Sequence, residues 1–205
     1  MAMDNPYDRI AEQWHDTRRE ETYVAHVLRY VDLTLRSLQP GAKVLDIGCG
    51  TGRPIAEYLV QKGFRVVCVD KSAKMLEIAS TVVPIAQLIH ADMLDIEFSE
   101  KFSAVIMWDS LFHVARVHHK RTFHKLRDWL EQDGRLLLSY GGSGHAGFTS
   151  KMHGEMFFYS GYKPEEMLNL LKEAGLEVEL SEVDDASSKG HLAVVARKAE
   201  NAVQM

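Results

Sequence analysis

Short apolar runs alternate with segments of helical periodicity along most of this chain. The runs are rich in Val, Ile, Leu and Ala, which is typical of strands that are covered on both faces of a sheet. The segments between them carry apolar residues at i, i+3, i+4 and i+7, the spacing of one helix face. The predicted strands are 44–47, 65–69, 85–90, 102–108, 135–140, 176–181 and 191–197. The predicted helices are 24–39, 55–61, 73–83, 118–131 and 164–175.

This alternation predicts an α/β fold, a doubly wound, Rossmann-like seven-stranded sheet with helices on both faces. The sheet is expected to be mainly parallel with an antiparallel last strand, because only the turn-rich segment 184–190 joins the final two strands. Residues 1–205 are expected to form a single domain. Residues 1–40 would be an N-terminal helical cap, and residues 141–161, with six glycines among aromatic side chains, a mobile loop that covers a site.

Three glycines, Gly48, Gly50 and Gly52, come directly after the first predicted strand, and Pro54 opens the following helix. Proline suits the first helical turn, where the amide that it lacks would have no partner in any case. Glycines at a strand-to-helix turn permit positive φ and let a ligand approach the bare backbone. Open α/β sheets bind ligands at the carboxyl ends of their strands, so the turn predicts a cradle for a nucleotide-sized molecule.

The spacing around this turn narrows the choice of nucleotide. A dinucleotide fingerprint has the form G-x-G-x-x-G, but its third glycine position is Arg53, and no G-K-[ST] follows as in a P-loop. Asp70 ends the second strand 18 residues past Gly52, where a carboxylate can accept both ribose hydroxyls. Asp46 lies inside the motif and would repel a pyrophosphate, so it suits a cationic or amine-bearing ligand better.

Composition and charge argue against several other classes of protein. The chain is 46% apolar and 26% charged, as in ordinary globular proteins, and its net charge of −5 argues against a nucleic-acid or anionic-membrane partner. The two cysteines, Cys49 and Cys68, form no disulfide framework, which favours a reducing compartment. No apolar run has the length of a membrane span. We therefore expect a cytoplasmic protein without nucleic-acid or membrane partners.

At five motifs the sequence resembles the class I S-adenosylmethionine-dependent methyltransferases, in particular those that act on small molecules, and the resemblance covers nearly the whole chain. The resemblance implies S-adenosyl-L-methionine as cofactor, a small-molecule acceptor methylated on O, N or S by in-line displacement, no metal, and a monomer or homodimer. The motifs are VLDIGCGTGRP at 44–54, VVCVDKS at 66–72, HADMLD at 90–95, FSAVIMWDSLFHV at 102–114 and GRLLLSY at 134–140.

The resemblance also implies a role for individual residues along the carboxyl edge of the predicted sheet. Asp70 would hold the ribose, Asp92 would accept a hydrogen bond from the adenine amino group, and Trp108 would lie beside the sulfonium. The remaining implied cofactor-binding residues are Tyr7, Trp14, Asp46, Gly48, Cys49, Gly50, Gly52, Lys71, Met75 and Met93.

Two residues after the fourth strand are candidates for catalysis, His113 and Asp109. An imidazole at this position could remove a proton from an attacking hydroxyl or amine, but a histidine that only packs or orients the substrate explains the position equally well. Asp92 could likewise be a plain turn residue, and Tyr7 and Trp14 could be ordinary packing aromatics. Methyl transfer itself requires mainly positioning and exclusion of water, so no catalytic residue is obligatory.

Two other functions remain open at this stage. A nucleotide-cofactor oxidoreductase would bind a nicotinamide cofactor, although Arg53 at the third glycine position argues against it. A non-catalytic S-adenosylmethionine-binding protein would bind the same cofactor but transfer its methyl group to no acceptor.

Overall fold

The computed structural model of the protein describes residues 5–184 and 191–199, so most of the predicted turn at 184–190 lies outside the described part. One seven-stranded sheet organises this part, with strand order β3-β2-β1-β4-β5-β9-β8. The strands are β1 Lys43–Ile47, β2 Arg65–Asp70, β3 Gln87–His90, β4 Phe102–Met107, β5 Leu130–Gly141, β6 Phe148–Met152, β7 Glu155–Tyr159, β8 Leu176–Val183 and β9 His191–Lys198. The helices are α1 Pro6–Thr17, α2 Glu21–Leu35, α3 Ile55–Gln61, α4 Ala73–Val82, α5 His119–Trp129 and α6 Pro164–Glu173.

The first five strands are parallel, and β9 is inserted antiparallel between β5 and β8. This topology confirms the predicted doubly wound sheet with its antiparallel last strand. Each strand ends at the same edge as its parallel neighbours, which brings the turns after β1, β2, β3 and β4 together.

The side chains of each parallel strand alternate between two hydrophobic cores. Leu45 and Ile47 of β1 belong to the core that α5 and α6 cover, whereas Val44 belongs to the core under α2, α3 and α4. All three side chains are fully buried, and each contributes about 1.5–3 kcal/mol relative to an exposed position. The unbroken apolar runs of the sequence therefore reflect helices on both faces of the sheet.

The segment predicted as a loop, 141–161, instead contains a β-hairpin of β6 and β7. Its two-residue turn is formed by His153 and Gly154, with φ of 50° and 86°, the backbone twist that a tight hairpin requires. The prediction of a loop was wrong for 148–159, because the six glycines lie before the hairpin, at its turn and after it, which leaves 148–152 and 155–159 free to pair. Arg9 of α1 forms an ion pair with Glu155 at 2.7 Å, so the hairpin contacts the N-terminal helix.

Smaller differences concern the ends of elements. Helix α2 ends at Leu35 rather than 39, and β5 begins at Leu130, directly after α5. Within the described ranges, no helix combines the length and hydropathy needed to cross a lipid bilayer.

Candidate active site

A cavity of about 460 Å³ opens at the carboxyl edge of the parallel strands, beneath α1 and β7. This volume is in the range of small-molecule sites. Twelve of the fifteen residues predicted for the site line it, although they are spread over more than one hundred positions of the chain. They are Tyr7, Trp14, Gly48, Gly50, Asp70, Lys71, Met75, Asp92, Met93, Trp108, Asp109 and His113.

The glycine turn forms the floor of the cavity. Gly48 has φ of 72°, and a Cβ built on it would lie 2.5 Å from Cβ of Ser110, which is too close for any side chain. Gly50 has φ of 54°, and its N–H donates a hydrogen bond to Oδ2 of Asp70 at 2.8 Å. Glycine is therefore required at 48 for space as well as for backbone conformation.

Asp70 is held in place from two sides. Its Oδ1 accepts a hydrogen bond from the backbone N–H of Ser72 at 2.8 Å, and its Oδ2 accepts the one from Gly50. Burial raises the pKa of this carboxyl, while the two N–H donors act in the opposite direction. A carboxylate offers about four lone-pair positions, so capacity remains for two further donors such as the hydroxyls of a ribose.

Three predicted residues, Asp46, Cys49 and Gly52, lie outside the cavity wall. Asp46 is buried in β1, and its Oδ2 has no hydrogen-bond partner within the described structure. Burial, together with the charge of Asp70, raises the pKa of Asp46 to about 7. Cys49 belongs to the core under α2, and a Cβ on Gly52 would lie 3.2 Å from Val83 of the segment after α4.

Helix α1 forms the roof of the cavity. It begins after Asn5, whose side chain accepts a hydrogen bond from the N–H of Tyr7 at 3.1 Å and so caps the helix. Tyr7 and Trp14, two turns apart, both face the cavity and meet edge-to-face at 5.6 Å. A Cβ on Gly50 would lie 3.4 Å from Nε1 of Trp14, so roof and floor are close.

His15 connects the roof to the glycine turn. Because Arg19 donates to its Nε2 at 3.0 Å, Nδ1 carries the proton and donates to Oγ1 of Thr51 at 2.9 Å. Burial lowers the pKa of His15, and the positive charges of Arg53 and Arg19 lower it further, so the ring is neutral at neutral pH.

Tyr7 and His113 form a hydrogen-bonded pair inside the cavity. The Tyr7 hydroxyl lies 2.8 Å from Nε2 of His113, and Nδ1 of His113 lies 2.8 Å from the carbonyl oxygen of Phe158. A carbonyl can only accept, so Nδ1 carries the proton and Nε2 accepts from the tyrosine. Burial lowers the pKa of His113 to about 4. Burial also shifts the pKa of Tyr7, but in the upward direction. Both side chains are neutral at neutral pH.

Asp109 is surrounded by donors. Its Oδ2 accepts from Arg18 at 3.2 Å and from Tyr23 at 3.1 Å, and its Oδ1 lies 3.1 Å from Nε2 of His191. Burial alone would raise the pKa of Asp109, but His191 and Arg18 hold it below its usual range. These contacts favour the role of a permanently ionised carboxylate for Asp109 over that of a proton acceptor.

Asp92 and Met93 line the end of the cavity beside β3. Asp92 also accepts a hydrogen bond from the N–H of Leu94 at 2.9 Å, so it makes a turn and faces the cavity at the same time. Ser110, Phe158 and His118 also line the cavity, although the sequence did not predict them as site residues. Ser110 directly follows a predicted site residue, and Phe158 lies in the segment expected to cover the site, so position could have indicated both.

Comparisons with known proteins agree with this architecture. A family model described as a methyltransferase domain matches residues 44–134, which include the glycine turn and the ends of β1 to β4. An N,N-dimethyltransferase of Streptomyces fradiae that acts on dTDP-3-amino-3,6-dideoxy-alpha-D-glucopyranose is 36% identical over 111 residues, 53% of this chain and 41% of that protein. An O-methyltransferase of Penicillium expansum is 27% identical over 180 residues, 80% of this chain and 63% of that protein.

The chain thus spans between 41% and 63% of the lengths of these two curated relatives. Among solved structures, the complex of DhpI with SAH superposes with a TM-score of 0.75 at 18% identity, over 95% of this chain and 94% of that one. Fold and cavity define a Rossmann-like protein with a nucleoside-sized site at the carboxyl edge of its sheet. Residues 44–134 thus match a methyltransferase domain, and the comparisons support the resemblance to the class I S-adenosylmethionine-dependent methyltransferases that the five motifs carry.

Proposed function

We propose that this protein transfers a methyl group from S-adenosyl-L-methionine to an O, N or S atom of a small molecule. The observation that carries the proposal is Asp70, held by the N–H groups of Gly50 and Ser72 at the floor of a 460 Å³ cavity. Its remaining acceptor capacity fits the two hydroxyls of a ribose, and the bare backbone at Gly48 leaves room for the rest of the cofactor.

The order of the strands suggests how the cofactor would lie. Asp92 and Met93 follow β3, Asp70 ends β2, and Gly48 follows β1, so adenine, ribose and amino-acid end would be held in that order along the edge. Lys71 and Met75 would border the adenine, and Trp108 would lie beside the sulfur. When bound, the cofactor supplies an electrophilic methyl group.

The protein would contribute enclosure and alignment. Tyr7 and Trp14 of α1 close the cavity from above, and Phe158 of the hairpin closes it from the side. We propose that the N-terminal helices and the β6–β7 hairpin exclude water and hold the acceptor in line with the methyl group. The activities of the two relatives, an N,N-dimethyltransferase of an amino sugar nucleotide and an O-methyltransferase, support a small-molecule acceptor. The free thiols of Cys49 and Cys68 fit a cytoplasmic location.

The two remaining functions make different predictions. In an oxidoreductase, position 53 would approach a pyrophosphate, but Arg53 pairs with Glu57 at 3.0 Å and does not line the cavity. A non-catalytic binding protein would retain the cofactor and release no S-adenosylhomocysteine in the presence of any acceptor.

Calorimetric titration with S-adenosylmethionine, S-adenosylhomocysteine and NAD⁺ tests the proposal. We expect binding of the first two ligands only. Asp70→Ala should weaken that binding by roughly 1–3 kcal/mol, because the substitution removes a buried carboxylate that accepts hydrogen bonds. The matched control is Asp32→Ala, which removes an exposed carboxylate that accepts a hydrogen bond from Tyr58; neither residue lines the cavity. Absence of binding, or equal binding to Asp70→Ala, would contradict the proposed site.

A further inference from the structure

The phenyl ring of Phe158 in β7 faces the cavity without an aromatic neighbour. Phe158 lines the cavity, and 39% of its surface is exposed. By contrast, the ring of Phe148 stacks on that of Tyr159 with centroids 5.4 Å apart, and the ring of Phe157 meets that of Tyr7 at 4.7 Å. Within residues 5–184 and 191–199, no second aromatic ring stacks on Phe158 or meets it edge-to-face. This ring is therefore available to a ligand.

We propose that Phe158 is a stacking platform for the methyl acceptor, and that the acceptor carries a planar aromatic ring. The inference rests on the proposed methyl transfer and deepens it, because it names the chemical class of the acceptor. Phe158 is then a specificity-determining residue, since it contacts the ring of the acceptor and takes no part in the transfer of the methyl group.

Gly147 borders the ring of Phe158 at its edge. A Cβ built on Gly147 would lie 2.8 Å from Cε2 and 2.9 Å from Cζ of Phe158, and no other atom of that ring lies within 4 Å of it. A Cβ above a face of the ring would have more than two ring atoms within this distance. The backbone of Gly147 thus supports the rim of the ring and does not cover either face, which is the surface that another ring needs for stacking.

Phe158 lies at the acceptor end of the cavity. Its carbonyl oxygen accepts a hydrogen bond from His113 at 2.8 Å, and His113 follows β4. Asp92, which we assign to the adenine, follows β3, three strands away in the order β3-β2-β1-β4. Because neighbouring strands are about 4.8 Å apart, the ends of β3 and β4 are separated by about 14 Å. An adenine held at Asp92 therefore leaves the face of Phe158 to the acceptor.

The cavity wall beside Phe158 is apolar. The segment after β4 runs alongside β7, because Oγ of Ser160 donates to the carbonyl oxygen of Val114 at 2.7 Å. Val114 and Ala115 of this segment line the cavity. A ring on the face of Phe158 thus also exchanges water for apolar contacts along its edge. A saturated ring makes these apolar contacts but cannot stack, since stacking requires two planar faces.

A cation is another group that binds to the face of a phenyl ring. When bound, however, the cofactor places a positively charged sulfonium in the same cavity, and two cations at short distance repel each other. Lys71, which also lines the cavity, adds a further positive charge. The charges of the site therefore favour an aromatic acceptor over a quaternary ammonium compound.

The test uses the full-length protein saturated with S-adenosylhomocysteine, so that the cofactor occupies its own part of the cavity. NMR titration compares benzyl alcohol with cyclohexylmethanol, and 2-naphthylmethanol with its decahydro counterpart. The two members of each pair differ only in the aromaticity of the ring. We expect the aromatic member to bind about fivefold or more tightly, because only its ring stacks on Phe158. Tetramethylammonium, titrated into the complex with S-adenosylmethionine, represents the cation.

Three variants connect this preference to the ring. Phe158→Leu keeps an apolar side chain but removes the planar face, so the ratio of the two affinities should fall to about one. Gly147→Ala leaves Phe158 in the sequence but displaces its rim, and it should lower the ratio as well. The matched control Phe148→Leu removes an exposed phenyl group of the same hairpin that does not line the cavity, and it should leave the ratio unchanged. In all three variants the affinity for S-adenosylhomocysteine should change less than about twofold, which also reports that the fold is intact.

Several results would overturn the platform. They are equal binding of aromatic and saturated members, no binding of either, tighter binding of tetramethylammonium than of the aromatic probes, and an undiminished ratio in Phe158→Leu. A loss of affinity for S-adenosylhomocysteine in Phe158→Leu, with Phe148→Leu unaffected, would place the ring against the cofactor and would overturn it too. Failure of the wild type to bind S-adenosylhomocysteine would instead overturn the proposed function.

Discussion

Arg18 and Asp109, 91 positions apart in the chain, form an ion pair with Nη2 3.2 Å from Oδ2. The guanidinium of Arg18 also lies over the ring of Trp14 at 3.6 Å and over that of Tyr23 at 4.3 Å. One side chain thus links the roof of the cavity to the end of β4. The same carboxylate contacts His191 at the start of β9, so the N-terminal helices and the antiparallel strand meet at one anion.

Arg18→Ala should destabilise the protein by about 1–3 kcal/mol, because the largely buried carboxylate of Asp109 loses one of its two cationic partners and keeps only His191. It should also weaken binding of S-adenosylmethionine, since Trp14 loses the group that stacks on it. Urea unfolding and calorimetric titration measure the two effects. Lys120→Ala breaks an exposed ion pair with Glu173 and should change neither quantity measurably. Equal behaviour of the two variants would contradict the role of Arg18.

Gly48→Ala and Gly41→Ala form a matched pair. Both glycines have positive φ, 72° and 89°, so each substitution should cost roughly 1–2 kcal/mol in backbone strain. A Cβ at 48 would lie 2.5 Å from Cβ of Ser110, whereas no atom of residues 5–184 or 191–199 lies within 4 Å of a Cβ at 41. Gly48→Ala should therefore be the less stable variant and should lose cofactor binding, while Gly41→Ala keeps it. Thermal melting measures the stability of the two variants, and calorimetry measures their cofactor binding. Equal cofactor binding by both variants would contradict the assignment of Gly48 to the cofactor site.

The buried carboxyl of Asp46 should make stability depend on pH. Its pKa of about 7 in the folded protein lies above the ordinary value of 3.8, so the unfolded chain loses this proton first as the pH rises. Stability should accordingly fall between about pH 4 and pH 7, by a few kcal/mol at about 1.4 kcal/mol per pKa unit. Asp46→Asn should remove this part of the pH dependence in urea unfolding at pH 5 and pH 8. A variant with the wild-type pH profile would show that Asp46 is ionised in the fold.

His191 should make the stability of the protein depend on pH in the alkaline range. Burial lowers its pKa, but the carboxylates of Asp109 and Asp184, at 3.1 and 2.7 Å, raise it to about 9 overall. His26 lies on the far side of Asp184 at 3.2 Å. The stability from this charged ring is complete below the ordinary pKa of 6.5 and is lost as the pH rises through 9.

The variant His191→Gln keeps a hydrogen-bonding side chain but cannot carry the charge. It should be less stable than the wild type at pH 6, and the difference should shrink at pH 9.5. Two-dimensional NMR of the imidazole resonances would measure the pKa directly. A titration midpoint at or below 6.5 would contradict the position of His191 between the carboxylates of Asp109 and Asp184.

The sheet, the order of its elements and the position of the glycine turn could all be predicted from the amino-acid sequence. These follow from local rules, since apolar runs mark buried strands and glycines mark the turn at a strand end. The proximity of Asp70 to Gly50 could also be predicted, because each comes at the carboxyl end of neighbouring parallel strands. The hairpin at 148–159 was missed, because glycine content was weighed above the pairing of two short strands.

The hydrogen-bond and ion-pair partners of the polar groups could not be predicted from the sequence, because they come from distant parts of the chain. Asp46 and Asp109 both occur at motif positions. Among the described residues, Oδ2 of Asp46 has no hydrogen-bond partner, whereas Arg18, Tyr23 and His191 surround the carboxylate of Asp109. No periodicity connects Tyr7 with His113, which are 106 positions apart. Hydrogen bonds and pKa values depend on atoms within a few ångströms, and packing of distant segments brings those atoms together. Local spacing encodes the strands and turns, whereas the protonation state of each group at the site arises from the assembled fold.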